Sequence, residues 1–250
     1  DISIAGDENL WIASHGSGLG CVTKNGVEWY NKANSDLPRD TVRKVEVGLD
    51  GRIWLSCEKG DAGGLFVYDG KEFLTYSPDN TPLMSRYIGD IKIDQEGSIY
   101  IYTFGPERGY GVYRFSENIW ECLGGGFLCL TIFSVGPDGE IYLYLDYSVS
   151  SSLELSQQQF NLHHYHSGDW EQLFPEFPDP RFIMFNTIQA DKRNYCWIGR
   201  AIGETCRLWV YDKESWIEAS VESFANYDIT TIETDMNNSV YIGTRKHGIF

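Results

Sequence analysis

Positive charge is scarce in this chain. Its 250 residues carry 20 Lys and Arg against 36 Asp and Glu, a formal net charge of −16. Nothing forms the basic stripe that a phosphate backbone requires, so nucleic acid is not an expected partner. The same charge disfavours anionic membrane surfaces. Long apolar runs are missing too: none approaches the roughly 18 residues of a spanning helix, so no membrane insertion by this segment is expected. The six cysteines include no Cys-x-x-Cys and no Cys/His zinc spacing. Around a turn near Gly203, Cys196 and Cys206 fall at opposite ends of a hairpin. Cys122 and Cys129 flank a Gly-rich connection. All six read as small buried hydrophobes without a disulfide. A secretory leader is not recognisable and residue 1 is Asp, so the chain reads as a processed or excised piece of a longer protein.

What the chain does have is a short phrase in six copies. A turn of Gly, Asp or Asn leads into an aromatic residue, then an apolar one, then often a small or hydroxyl one. The aromatics are Trp11, Trp54, Tyr100, Tyr142, Trp197 and Tyr241, spaced 43, 46, 42, 55 and 44 residues apart. A period of that size is the signature of a propeller or similar array. Nine residues before the later aromatics stand Val45, Ile91, Phe133, Ile188 and Ile232. Twelve before stand Val42, Ile88, Leu130, Phe185 and Ile229. These in-phase apolar positions predict a common inner strand.

The second repeat displays the whole unit. Thr41–Val47 alternates at period two as an inner strand, and Gly48-Leu-Asp-Gly51 is a turn. Arg52–Cys57 and Gly63–Tyr68 are the next strands. Asp69-Gly70 is a hairpin turn of the kind that wants positive φ, and Glu72–Tyr76 is the fourth strand. Ser77 to Pro82 crosses to the next unit. Asp146 to Gln159 reads as an enlarged loop in the fourth repeat. The expected fold is therefore all-β, a β-propeller of six blades of four antiparallel strands with a thin last blade, one domain over residues 1–250. A fragment of a larger ring is the alternative.

Residues 48 to 76 resemble the two-component regulator propeller repeat. Its usual run is Asp-Gly-x-Leu/Ile-Trp-Ile-Gly-Thr, then Gly-Gly-Leu-x-x-Tyr-Asp, then Phe-x-x-Tyr; here stand Asp50-Gly-Arg-Ile-Trp-Leu-Ser, Gly63-Gly-Leu-Phe-Val-Tyr-Asp69 and Phe73-Leu-Thr-Tyr76. Ser35–Val42 is similar to the linker before the next copy. The resemblance implies an extracytoplasmic sensor region of a bacterial signalling protein, periplasmic or extracellular, in a family with many links to glycan sensing. A shared fold alone leaves the ligand open.

Site chemistry is thin. His163, His164 and His166 alternate on one strand, so His164 and His166 share a face, but they occupy the slots of Phe66, Val67 and Asp69 in the second repeat and read as a packed or solvated strand. The Asp turns lack the dense carboxylate loop of a calcium site and read as side-chain-capped turns. Gly124-Gly-Gly126 lacks the Lys-Ser/Thr and helix of a phosphate cradle. No nucleophile motif or acid/base carboxylate pair stands out, so no catalytic residue, cofactor or metal is expected. One asymmetry remains. The blade-linking loops and the loops between second and third strands emerge on one face, and six of the eleven arginines lie there: Arg39, Arg86, Arg108, Arg181, Arg200 and Arg245. Guanidinium forks suit carboxylate, sulfate or polar sugar oxygens. Arg39, Arg86 and Arg181, beside Tyr87 and Tyr227, are the candidate ligand-binding residues. The functions to be weighed are a ligand-sensing or carbohydrate-binding propeller taking a small molecule or oligosaccharide, a protein-interaction scaffold, and a propeller lyase or hydrolase.

Overall fold

A computed structural model describes residues 1–6, 8–57, 63–105, 110–127, 130–145, 162–173, 185, 187–202, 205–219, 229–235 and 237–250. The fold is an all-β six-bladed propeller: five four-stranded sheets and a last sheet of three strands. Each sheet is an antiparallel meander in which sequence neighbours pair. The chain divides into two compact units, Asp1–Leu128 and Cys129–Phe250.

In the first unit, blade 1 is β1 (Ile2–Ile4), β2 (Leu10–Ser14), β3 (Gly18–Thr23) and β4 (Gly26–Tyr30). Blade 2 is β5 (Val42–Val47), β6 (Ile53–Cys57), β7 (Gly64–Tyr68) and β8 (Phe73–Tyr76). Blade 3 is β9 (Ile88–Ile93), β10 (Ile99–Thr103), β11 (Tyr110–Ser116) and β12 (Ile119–Phe127). In the second unit, blade 4 is β13 (Leu130–Val135), β14 (Ile141–Leu145), β15 (Leu162–His166) and β16 (Asp169–Leu173). Blade 5 is β17 (Thr187–Ala190), β18 (Cys196–Ile202), β19 (Thr205–Tyr211) and β20 (Trp216–Glu218). Blade 6 is β21 (Ile229–Thr234), β22 (Val240–Thr244) and β23 (Gly248–Ile249).

All six repeat aromatics lie on second strands, as the spacing predicts. The residues nine before them, Val45, Ile91, Phe133, Ile188 and Ile232, are buried. So are Val42, Ile88, Phe185 and Ile229 at twelve before. The turn into each second strand explains the Gly and Asn usage. Three residues before the aromatic, φ is positive in every blade: Glu8, Gly51, Gly97, Gly139, Asn194 and Asn238. Glycine takes that conformation freely and Asn tolerates it better than most residues.

Consecutive blades within a unit are joined by rings. Between blades 1 and 2, Tyr30 lies 6.1 Å from Trp11, 5.0 Å from Tyr68 and 6.4 Å from Phe73. Between blades 2 and 3 the same positions are filled by Trp54, Tyr76, Phe115 and Trp120, with Trp54 stacked on Tyr76 at 5.7 Å. Between blades 4 and 5 they are Tyr142, Leu173, Tyr211 and Trp216. Each fully buried ring or aliphatic side chain of this kind contributes about 1.5–3 kcal/mol, so the repeated phrase is above all a packing device.

Two expectations need correction. Gly124-Gly-Gly126 is not a loose connection; it lies inside β12, where two register shifts against β11 mark bulges. Glycine permits such irregular pairing. Cys122 is exposed, not buried, because β12 is the outer strand of its blade and turns one face to solvent. Cys21, Cys57 and Cys196 are buried, and none of these four cysteines is in a disulfide. Asp146 to Gln159 lies outside the described residues.

Candidate functional site on the blade linkers

The linkers of the first unit are built twice to one plan. In the first, Asn31 N–H donates to Asn34 Oδ1 (2.8 Å), Asn34 Nδ2 to the Trp29 carbonyl (2.8 Å) and Ser35 Oγ to the Asn31 carbonyl (2.7 Å). In the second, Ser77 N–H donates to Asn80 Oδ1 (2.9 Å), Asn80 Nδ2 to the Thr75 carbonyl (2.8 Å) and Thr81 Oγ1 to the Ser77 carbonyl (2.6 Å). Buried Leu37 and Leu83 then anchor each linker in the core. The frame is rigid, and the residues it carries differ: Pro38-Arg-Asp-Thr41 against Met84-Ser-Arg-Tyr87. Variable side chains on a fixed scaffold are the usual arrangement of a recognition loop.

Arg39 is held from both sides. The Asp40 carbonyl accepts N–H bonds from Gly16 (2.9 Å) and Gly18 (2.8 Å), and Asp40 Oδ1 accepts from Lys32 N–H (2.8 Å). Thr41 bridges His15. Gly18 is needed there: its φ is +88°, and a Cβ would sit 2.1 Å from the Tyr30 carbonyl oxygen. Arg39 is half-buried, and its Nε is fully buried with no hydrogen-bond partner among the described residues. Its charge reaches the Cys57 thiol, which burial pushes up to about 12 against the opposing pull of Arg39. Around Arg39 opens a cleft of about 450 Å³ lined by Lys32, Pro38, Asp40 and Thr41. Two cations face one carboxylate there, so the cleft favours an oxyanion.

The second linker places Arg86 and Tyr87 side by side but not in the Arg39 cleft. The Arg86 guanidinium is paired with the Asp79 carboxylate. Tyr87 is fixed through Ser85, whose Oγ accepts the Tyr87 N–H (3.1 Å) and donates to the Phe104 carbonyl (2.8 Å). The Tyr87 ring packs 5.8 Å from Phe104. Arg181, Tyr227 and Arg108 lie outside the described residues. Arg245 is exposed on the β22–β23 turn.

The turns entering the second strands are occupied differently. Asp94 Oδ1 caps the N–H groups of Glu96 (3.0 Å) and Ser98 (2.8 Å) while Oδ2 accepts Tyr100 O–H (3.0 Å). Asp191 and Asp235 repeat this with Trp197 Nε1 (3.1 Å) and Tyr241 O–H (3.2 Å). In the second unit adjoining turns interlock: Asn194 Nδ2 donates to Asp138 Oδ2 (2.7 Å) and Lys192 N–H to Asn238 Oδ1 (3.0 Å). These carboxylates are spent on the fold.

Sequence reasoning missed one cluster, between blades 4 and 5. Glu140 Oε1 accepts from Lys213 Nζ (2.9 Å) and lies 3.2 Å from His166 Nδ1. Glu140 Oε2 lies 3.1 Å from His164 Nε2, and His164 Nδ1 lies 2.8 Å from Glu171 Oε1. The His164 ring stacks on Tyr142 at 4.5 Å. Burial works to raise the Glu140 carboxyl, but hydrogen bonds from Lys213 and His164, and their charges, hold it below its ordinary value. Both His164 nitrogens are engaged by carboxylates, and no group of three metal-ligating side chains is placed to hold an ion among the described residues. The cluster fastens two blades. A sequence signal for it existed: His164 is the cross-strand partner of Tyr142, a slot held by Cys21, Val67 and Val210 opposite the three tryptophans.

No family model and no curated protein matches the chain. Solved structures do. PorZ, a bacterial surface component of the type-IX secretion system of Porphyromonas gingivalis, matches at 17% identity and TM-score 0.67, over 100% of this chain and 38% of that one. The extracellular domain of BT4673 of B. thetaiotaomicron, described as a one-component or hybrid two-component system, matches at 16% identity and TM-score 0.67, over 100% of this chain and 32% of that one. YCF48 bound to D1 peptide matches at 15% identity and TM-score 0.69, over 100% and 75%. At such identities the likeness is one of fold. The chain spans about a third of the first two proteins' length. Among the described residues no helix is long and apolar enough to cross a membrane.

Proposed function

We propose that this chain is the ligand-binding propeller of an extracytoplasmic sensor and that it recognises an acidic saccharide on its linker face. The observation that carries this reading is Arg39: a half-buried guanidinium that lines a 450 Å³ cleft, its Nε without a partner among the described residues. A guanidinium on a cleft wall suits the paired oxygens of a carboxylate or sulfate. Lys32 supplies the second charge, and the Asp40 carbonyl clamp keeps the site pre-organised. Arg86 and Tyr87, on the next linker of the same unit, are assigned to flanking contacts with further sugar units. The likeness to an extracellular signalling domain and to a surface protein supports the compartment. The interlocked Asp turns leave the other face as structure.

The test is calorimetric titration with a hexamer of galacturonate and with a sulfated hexasaccharide. Each charged hydrogen bond contributes about 1.5–3 kcal/mol. Replacing Arg39 and Arg86 together by Gln should weaken binding at least tenfold with little change in Tm. Unaltered affinity in a folded double variant would refute the assignment.

A further inference from the structure

A second cavity lies across the same linker from Arg39. It has a volume of about 420 Å³, and its walls include Tyr30, Tyr68 and Phe73 with Asp36 and Lys71. The three rings form one cluster, with Tyr30 tilted 46° to Tyr68 and 66° to Phe73. Tyr68 lies 4.8 Å from Phe73 at 28° and 5.0 Å from Tyr30, and all three are half-buried. The Tyr30 hydroxyl is pushed well above the ordinary phenol range, by burial first and by its hydrogen bond to Tyr68 second. The Asp36 carboxylate and the Lys71 ammonium line the same cavity, and no ion pair joins them to each other or to another described residue.

The chain contains its own control. The junction between blades 2 and 3 repeats this one position for position, and its frame residues Asn80 and Thr81 make the same bonds as Asn34 and Ser35. Yet Asp36 corresponds to Pro82, Tyr68 to Phe115, Lys71 to Asn118 and Phe73 to the larger Trp120. At the second junction Trp120 packs 5.6 Å from Tyr76 and 4.9 Å from Phe115. The polar groups of the first junction are therefore additions to a packing unit that folds without them.

We propose that this cavity is a second binding site, for an uncharged pyranose ring of a saccharide. An acceptor and a donor of opposite charge line one space beside a cluster of aromatic rings. A free anion meets Asp36 and a free cation meets Lys71, whereas a neutral sugar donates one hydroxyl to Asp36, accepts at another from Lys71, and sets a C–H edge against one of the rings. The volume lies within the range of small-ligand sites, about 300–1,000 Å³. This inference rests on reading the chain as a ligand-binding propeller, but not on Arg39.

The experiment titrates the whole chain with cellohexaose, mannohexaose and the hexamer of N-acetylglucosamine, beside the galacturonate hexamer. The variant D36P/Y68F/K71N copies the second junction into the first. Among the described residues the Asp36 N–H makes no backbone hydrogen bond, so Pro is compatible there, as Pro82 shows. At least one neutral hexasaccharide should bind, and this variant should weaken it tenfold or more while R39Q leaves it unchanged. Should the triple variant fold poorly, D36N/K71Q should weaken it at least fivefold. The proposal is overturned if no neutral hexasaccharide binds, if the folded variants keep full affinity, or if R39Q alone abolishes neutral binding. A galacturonate affinity insensitive to R39Q would instead overturn the acidic-saccharide reading and leave this one standing.

Discussion

Trp54 is fully buried and its indole N–H has no partner among the described residues, whereas the equivalent Trp197 and the tyrosines at positions 100 and 241 each bond an Asp six residues earlier. In blade 2 that position is Gly48. A Cβ there would lie 3.4 Å from Trp54 Nε1, and the nearest obstacle, at 2.6 Å, is Asp50 Oδ1, a flexible side-chain atom. The φ of Gly48 is not in the left-handed region, so the backbone conformation admits an L-residue, and the Arg52 carbonyl oxygen, 3.2 Å from the added Cβ, must give by a few tenths of an ångström. The double variant G48D/D50E copies the Asp94-Gln-Glu-Gly97 turn of blade 3. It should give the indole an acceptor and keep the cap on the Arg52 N–H. Relieving a buried orphan donor is worth about 1–3 kcal/mol; some is lost to the close carboxylates, so a net gain of about 1 kcal/mol is expected. For a chain of this size that raises Tm by roughly 2–4 °C. Thermal unfolding reads the gain, and the Trp54 indole proton should become more protected from exchange. An unchanged or lowered Tm with an unprotected indole would refute the reasoning.

Glu140→Gln removes the negative charge shared by Lys213, His164 and His166 and turns one of its two acceptor oxygens into a donor; breaking a buried pair costs about 3–5 kcal/mol, discounted to about 2–3 because Lys213 is 38% exposed and screened, and denaturant titration measures it. The Glu140 and Asp191 carboxyls both resist burial's upward push and are held below their ordinary values, Asp191 by Arg193, Trp197 and backbone N–H groups. Their contribution is complete above about pH 4.5 and is lost as pH falls through the lower folded-state values. E140Q should therefore flatten the acid arm of the stability profile. Gly18→Ala, with φ +88° and a 2.1 Å approach to the Tyr30 carbonyl, should cost more than about 3 kcal/mol and weaken galacturonate binding as the Asp40 clamp loosens. Among Cys21, Cys57, Cys122 and Cys196, iodoacetamide on the native protein should label Cys122 first, which peptide mass spectrometry reads, because the other three are buried.

The architecture was legible because packing repeats at fixed offsets. The aromatic on each second strand and the apolar residues nine and twelve before it answer to one geometry, so six copies average out local noise. Strand ends were less legible. Thr41 was expected inside β5, but it makes only an isolated bridge to His15, and β5 begins at Val42 beside a bulge. The site was legible only as a face. Sequence placed Arg39 and Arg86 on the linkers, yet how a guanidinium is occupied depends on a neighbour such as Asp79, which pairs with Arg86 and is matched in the first linker by Ala33. The Glu140 cluster joins residues 24 and 73 positions apart. No local pattern states such a contact; only the polar residue opposite a buried repeat aromatic hints at it.

The most direct measurement of the central claim is where an acidic saccharide sits. Hydrogen exchange of the whole chain with and without saturating galacturonate hexamer should show protection concentrated in residues 31–41 and the adjoining residues 15–18. Protection centred instead on the turns at Asp50, Asp94, Asp191 and Asp235, with the 31–41 linker unchanged, would contradict the account.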